Sequence, residues 1–371
     1  MLSRTADHLF WMARYTERAE NTARMLDANY QLALLPQSDE YAALGWRAML
    51  SISELADIYA AAHPSMTSRD VIAFMSSDAG NLSSIINCLR AARENARAVR
   101  GSITTELWET LNTTWLDAQR MLADGVLERD PCEFFEWVKF RSHLSRGVQL
   151  GTMVRDEAFY FMRLGTFLER ADNTARILDV KYEMLEQRGG ASAQPLAQSL
   201  DYYHWAAVLR SVSGFEVYRK VYRDVIMPER VANLLILFDN WPRSLAASLD
   251  EVRQIIGHVR NARSASAEAM AVQLHANVRA ARIGEILRGG LHLWLTEFLV
   301  RVNELGSCIS RDFLVPLAPE PEPVPEAEPQ LAETRPIAPS ASQTQAQSQS
   351  QSQSQSQSQS QSQSPSQPHV A

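Results

Sequence analysis

Glu17-Arg18-Ala19-Glu20-Asn21-Thr22-Ala23-Arg24-Met25-Leu26-Asp27 is spelled again 152 positions later as Glu169-Arg170-Ala171-Asp172-Asn173-Thr174-Ala175-Arg176-Ile177-Leu178-Asp179, with Glu20/Asp172 and Met25/Ile177 the only differences. Both differences keep the chemistry. In a helix the block places 17, 20, 21 and 24 in one polar stripe and Tyr15, Ala19, Thr22 and Leu26 on the other side. Packing constrains only the apolar members, because a solvated helix face permutes Glu, Asn and Arg at little cost. Retention of the polar letters in both copies therefore points to one ancestral unit duplicated in tandem, with a polar constellation kept for a reason beyond solubility.

Further landmarks recur in the same order. Trp46-x-x-x-Leu50 matches Trp205-x-x-x-Leu209, and Ser84-Ile85 with Leu89 and Arg93 matches Ser244-Leu245 with Leu249 and Arg253. The expected organisation is a helical domain over 1–316 made of two homologous halves, about 1–152 and 153–316. Helical patterning runs almost unbroken, and Pro36, Pro64, Pro131, Pro195, Pro228, Pro242 and Pro316 fall where helices should begin or end. Expected helices are about 3–34, 41–62, 68–76, 82–99, 103–123, 131–151, 154–188, 198–212, 214–224, 228–239, 243–260 and 265–313, the last broken near Gly289-Gly290. Loops are expected over Asp124–Pro131 and at Gly189-Gly190-Ala191-Ser192. No segment alternates like a strand, so the fold class is all-α, a multi-helix bundle of two tandem halves. Residues 317–371, first rich in Pro and Glu and then in Ser-Gln repeats, are expected to form a disordered tail, since such composition cannot bury enough apolar surface to offset ordering entropy.

Composition excludes several classes. The net charge of -7 and the lack of an aromatic-plus-basic groove signature argue against a nucleic-acid partner. Cys88, Cys132 and Cys308 are odd in number and widely spaced, which speaks against a disulfide framework or zinc site and for the cytoplasm. Neither a signal peptide nor an apolar run of about 18 residues is evident, so no membrane association is expected. Metal and cofactor templates fail as well: there is no Glu-x-x-His pair, no Walker A and no G-x-G-x-x-G. No metal or cofactor is expected.

The candidate site is the repeated block itself: Glu17, Arg18, Glu20, Asn21 and Arg24, with Glu169, Arg170, Asp172, Asn173 and Arg176. Three roles compete for it. Glu20 and Arg24, like Asp172 and Arg176, are spaced for intrahelical pairing on an exposed face, worth a few tenths of a kcal/mol. Asparagine, a poor mid-helix residue, is better explained by a polar network joining the halves. A third role is a ligand or active site, with Glu17 or Glu169 as acid and base and the arginines as clamps for carboxylate or phosphate. A second cluster, Arg90, Arg93, Arg97 and Arg100, recurs at spacings of three, four and three and offers an anion-binding side.

Leu2-Ser3-Arg4 leading into Tyr15 to Arg24, then Cys88-Leu89-Arg90-Ala91-Ala92-Arg93-Glu94-Asn95-Ala96-Arg97, then Glu106-Leu107-Trp108-Glu109-Thr110-Leu111-Asn112 resemble the bacterial Alpha-E domain family over essentially all of 1–316. The resemblance implies an all-helical fold and places the family's Glu-Arg motif on Glu17-Arg18, with Glu169-Arg170 as its echo. It also implies company: circularly permuted ATP-grasp proteins and transglutaminase-like proteins, a setting that ligates amino acids or peptides and then trims or cross-links them. The expected role is an accessory or binding subunit of such a system, with a peptide or amino acid as ligand. An enzyme of the same pathway and a purely structural scaffold are the alternatives.

Overall fold

The computed structural model describes residues 1–186 and 195–315, and of residues 39–41, 183–186 and 195–201 the backbone alone. Among the described residues there are sixteen α-helices and no strand. They are α1 (Ser3–Ala33), α2 (Asp39–Ile52), α3 (Ala56–Ala62), α4 (Ser68–Ser76), α5 (Ile85–Ala98), α6 (Thr105–Ala123), α7 (Val126–Arg129) and α8 (Pro131–Thr152), then α9 (Glu157–Glu186), α10 (Pro195–Ser211), α11 (Phe215–Tyr222), α12 (Pro228–Leu237), α13 (Leu245–His258), α14 (Ala265–Ala280), α15 (Ile283–Gly289) and α16 (Leu291–Ile309). The Gly189–Ser192 loop and the 317–371 tail lie outside the described residues.

Local chemistry sets the boundaries. Ser84 and Ser244 cap α5 and α13 in the same way, each side-chain oxygen accepting from the backbone N–H three residues on. Thr104 does so for α6, and Asp130 for α8 with Pro131 at its first position. Three expectations need correction. The 41–62 segment is two helices, split where Glu54 takes a left-handed φ of 56°. The supposed loop at 124–131 holds the single turn α7, entered through Gly125 at φ 65°. The 265–313 segment breaks at Gly290 as expected, where the φ of 99° suits only glycine, but it is also cut at 281–282.

Two long helices form the axis of the bundle, and both are buried on nearly all sides. α1 packs on α5 and α8, and α9 packs on α13 and α16; α5 meets α6 and α6 meets α8, as α13 meets α14 and α14 meets α16. The capping pair crosses over, with α2 packing on α9 and α10 on α1. The loops after α2 and α10 even share their strained residue, Glu54 at φ 56° and Ser213 at φ 57°. One continuous apolar core runs through both sets, and each fully buried Leu or Phe in it, such as Leu9, Phe134, Leu164 or Leu245, contributes roughly 2 kcal/mol. α1 and α9 approach backbone to backbone at Gly165, where a Cβ would run into the Phe10 carbonyl oxygen. That crossing brings the two repeated blocks together.

Candidate functional site

The Glu-Arg dipeptides exchange partners across the crossing. Arg170 donates through Nε and Nη2 to the two oxygens of Glu17, both at 2.9 Å, and Arg18 donates to the two oxygens of Glu169 at 2.6 and 3.1 Å. Planar guanidinium matches carboxylate in this forked geometry, which fixes distance and orientation together. Both carboxylates are sealed: Glu17 is 1% exposed and Glu169 4%. The last residue of each block also behaves alike, Asp27 accepting from Lys139 on α8 at 2.8 Å and Asp179 pairing with His292 on α16 at 2.7 Å.

Beyond that shared frame the blocks differ. Around Glu17 and Glu20, which is fully buried, four arginines converge. Arg243, in the loop just before α13, donates to Glu17 and to the Asn21 Oδ1 at 3.0 Å each and to Glu20 at 2.6 Å. Arg146 of α8 reaches Glu17 at 3.1 Å and also Glu20, while Arg24 donates to Glu20 at 2.8 Å. Burial alone would push both carboxyls up, but Arg170, Arg243 and Arg146 at Glu17, and Arg243, Arg146 and Arg24 at Glu20, hold them well below the carboxylate range. Such groups stay ionised at neutral pH and are poor proton donors or acceptors. Burial lowers Arg243 itself to about 10, although Glu17 and Glu20 oppose the shift, and Arg170 and Arg24 add to it.

Around Glu169 there are fewer cations. Arg14 donates to it at 2.7 Å beside Arg18, and the two outweigh burial to hold the carboxyl at about 2. Arg176 donates to Asp172 at 2.8 Å and also to Glu54. Asp172 is nevertheless raised, because burial outweighs Arg176 and the ionised Glu169 adds to the shift. The position matching Arg243, one residue before the capping serine, is Ser83.

Two sizeable cavities border this network, besides a small one of about 20 Å³ at Glu17 and Arg146. One, about 360 Å³, opens between α8, α9 and the α12–α13 loop and is lined by Arg146, Arg163, Arg170, Arg243, His143 and Gln149 over a floor of Phe167 and Trp241. No carboxylate lines it. The His143 ring stands between Arg24 and Arg146, 3.0 and 2.8 Å from their guanidinium nitrogens. Burial and the neighbouring Arg146, Arg24 and Arg243 keep the ring below its ordinary pKa against the pull of Glu20, so it is neutral and accepts from only one of the two. Gln149 is 6% exposed and its Nε2 has no partner. The second cavity, about 200 Å³, is lined by Glu169, Asp172, Asn173, Arg176, Arg18, Ser83 and Glu54, among others.

With this geometry in view, a family model described as a predicted alpha-helical domain with a conserved ER motif matches residues 1–314. The chain belongs to the Alpha-E family. No curated protein and no solved structure matches it.

Of the ten block residues singled out from the sequence of this Alpha-E chain, all lie at the α1–α9 crossing, but in different surroundings. Glu17, Glu20, Asn21 and Arg170 are buried; Arg18, Asp172, Asn173 and Arg176 edge the smaller cavity. The second arginine cluster, on α5 and just after it, has partners of its own. Arg93 donates to Asn112 at 2.8 Å and shares the Trp108 ring with Arg100, Arg97 pairs with Glu94, and Arg90 is exposed. Arg146, Arg243, Arg14 and His143 escaped sequence reasoning. Arg243 had a readable signal, since it breaks the parallel between the segments ending in Ser84 and Ser244. Among the described residues no helix is long and apolar enough to cross a membrane, and no cluster could hold a metal ion.

Proposed function

We propose that the chain is a binding subunit and that the arginine-lined cavity takes a carboxylate carried on an apolar group, such as the C-terminus of a peptide or an acylated amino acid. The observation that carries this reading is the imbalance of charge: four guanidinium groups converge on two buried carboxylates, and the adjoining cavity presents Arg163, whose one carboxylate partner, Glu251, lies outside the lining, and an unpartnered Gln149 amide, with no acid in its wall. A ligand carboxylate would supply the acceptors that His143 and the two glutamates leave short, and Phe167 and Trp241 would cover its apolar part. Catalysis by Glu17 or Glu169 is disfavoured by their depressed pKa values, and Arg24 and Arg176 are already tied to Glu20 and Asp172. Cys88 is buried and pushed up to about 12, far from a nucleophile's range.

The setting that fits such a ligand is the one the family resemblance implies, an ATP-grasp amide ligase with a transglutaminase-like protein, both handling carboxylates and amides of peptides. We include in this proposal the tandem duplication of the halves, supported by the matching caps, helix neighbours and left-handed residues. The direct test is calorimetric titration of the full chain with N-acetylphenylalanine and with its amide. The acid should bind saturably, the amide at least tenfold more weakly, and Arg163→Gln, which removes a rim cation, should weaken the acid about tenfold, or about 1.4 kcal/mol. Equal binding of acid and amide would overturn the carboxylate assignment. Failure of purified ATP-grasp and transglutaminase-like proteins to co-elute with the chain would remove the proposed company but leave the ligand class standing.

A further inference from the structure

The smaller cavity at the α1–α9 crossing has a counterpart that is filled. On the α1 side, Glu17, Glu20 and Asn21 receive the guanidinium of Arg243, with Arg24 and Arg170 beside it. Carrying each residue over by the repeat gives Glu169, Asp172 and Asn173 as the receiving groups and Arg176 and Arg18 as their flankers, and all five line the cavity. The residue that would fill it is Ser83, also in the wall, whose side chain ends about four bond lengths short of a guanidinium. The space of about 200 Å³ is large enough for one guanidinium head group.

The walls agree with that occupant. Asn173 keeps the register of Asn21, whose Oδ1 accepts from Arg243. Glu54, 72% exposed and paired with Arg176, adds a carboxylate at the mouth where the matching position is Ser213. The flanking arginines are no objection, because Arg24 and Arg170 flank the filled seat in the same way while the carboxylates carry the contact. Thr22 is buried in the wall, and its counterpart Thr174, also buried, donates to the Arg243 carbonyl oxygen at 3.1 Å.

We propose that this cavity is a seat for an alkylguanidinium group, the charged end of an arginine side chain or of a small guanidine, held by Glu169, Asp172 and Asn173 as Arg243 is held by Glu17, Glu20 and Asn21. The ligand enters past Glu54. The inference goes beyond the carboxylate reading of the larger cavity and stands without it, since the two cavities share no lining residue.

The test uses the full chain and ethylguanidinium chloride at millimolar concentration, with sodium chloride making up constant ionic strength. Calorimetry should give one saturable site, with N-ethylurea, the neutral analogue of the same shape, at least tenfold weaker. Asp172→Asn should weaken ethylguanidinium at least tenfold. Ser83→Arg, which supplies the head group from within the chain, should abolish binding while N-acetylphenylalanine titrates as in wild type. Should Ser83→Arg lose its helical circular dichroism, Glu54→Gln at the exposed mouth serves instead and should weaken binding about threefold. Absence of a saturable site in the wild type, equal binding of the urea, or indifference to both Asp172→Asn and Ser83→Arg would each overturn the assignment.

Discussion

The two copies of the repeated block are nearly identical in letters and unlike in surroundings. Around Glu17 four arginines meet two buried carboxylates, and the charged groups walling the adjoining cavity are cations alone; around Glu169 three arginines serve Glu169 and Asp172, with Glu54 drawn in from the rim, and the carboxylates themselves stand in the cavity wall. What separates them lies outside the block, in Arg243 against Ser83 and in Arg146. A repeated motif thus specifies the frame, while residues brought in from other helices decide whether it is filled or vacant. Breaking a buried pair by removing one partner leaves the other charge stranded, so the fuller network should be the more sensitive.

The largest effect is expected at Glu17. Glu17→Gln removes the carboxylate that Arg170, Arg243 and Arg146 share and should cost roughly 5 kcal/mol in urea denaturation, whereas Glu169→Gln should cost roughly 3. Equal losses would mean that the blocks are energetically alike. Next, Arg243→Ser makes the first block resemble the second and should cost roughly 3 to 4 kcal/mol. Ethylguanidinium at millimolar concentration should then raise the melting temperature of Arg243→Ser more than that of the wild type, because the variant has a second seat to fill.

The acid limb of stability separates the blocks further. The folded Glu169 carboxyl sits at about 2 against an ordinary 4.5, so its contribution is fully present above the unfolded value and lost as pH falls from about 4.5 to about 2. Glu169→Gln should remove that part of the limb, on the order of 3 kcal/mol, and a limb of unchanged slope would contradict the forked pairing with Arg14 and Arg18. Asn21→Leu strips an acceptor from Arg243 inside a sealed network and should cost roughly 2 kcal/mol, while Asn173→Leu, half-buried at a cavity wall, should cost under about 0.5 and act instead on ethylguanidinium binding. Smallest of all, Arg100→Gln, exposed over Trp108, should stay within about 0.5 kcal/mol of wild type.

Much of this was legible in the chain. Helix positions follow from prolines and capping residues, and the polar block, having no packing reason to persist, announces the crossing. The three-way choice for its role could not be made from spacing, because an i,i+4 pair on a solvated face and a buried one read alike; burial comes from α5, α8 and α13 closing over the block. The sequence gives the letters of Glu17 and Arg170 but not that they meet, since 153 residues separate them. Asn173 shows the opposite error: symmetry of letters suggests that both asparagines are equally structural, yet only Asn21 has an arginine to receive.

Gly165 carries one more consequence. With the α9 backbone resting against the Phe10 carbonyl, the separation of the two axial helices is set by contact of main chains and has no slack. The side chains a few residues further along must span a gap whose width they do not choose, and each partner has one length that closes it: a carboxylate on two methylenes meeting a guanidinium on three. Aspartate would stop short, and lysine, with a single point of charge, would lose the fork. The repeated Glu-Arg pair is in this chain a gauge of distance as much as a statement of charge, with the glycine as its zero mark.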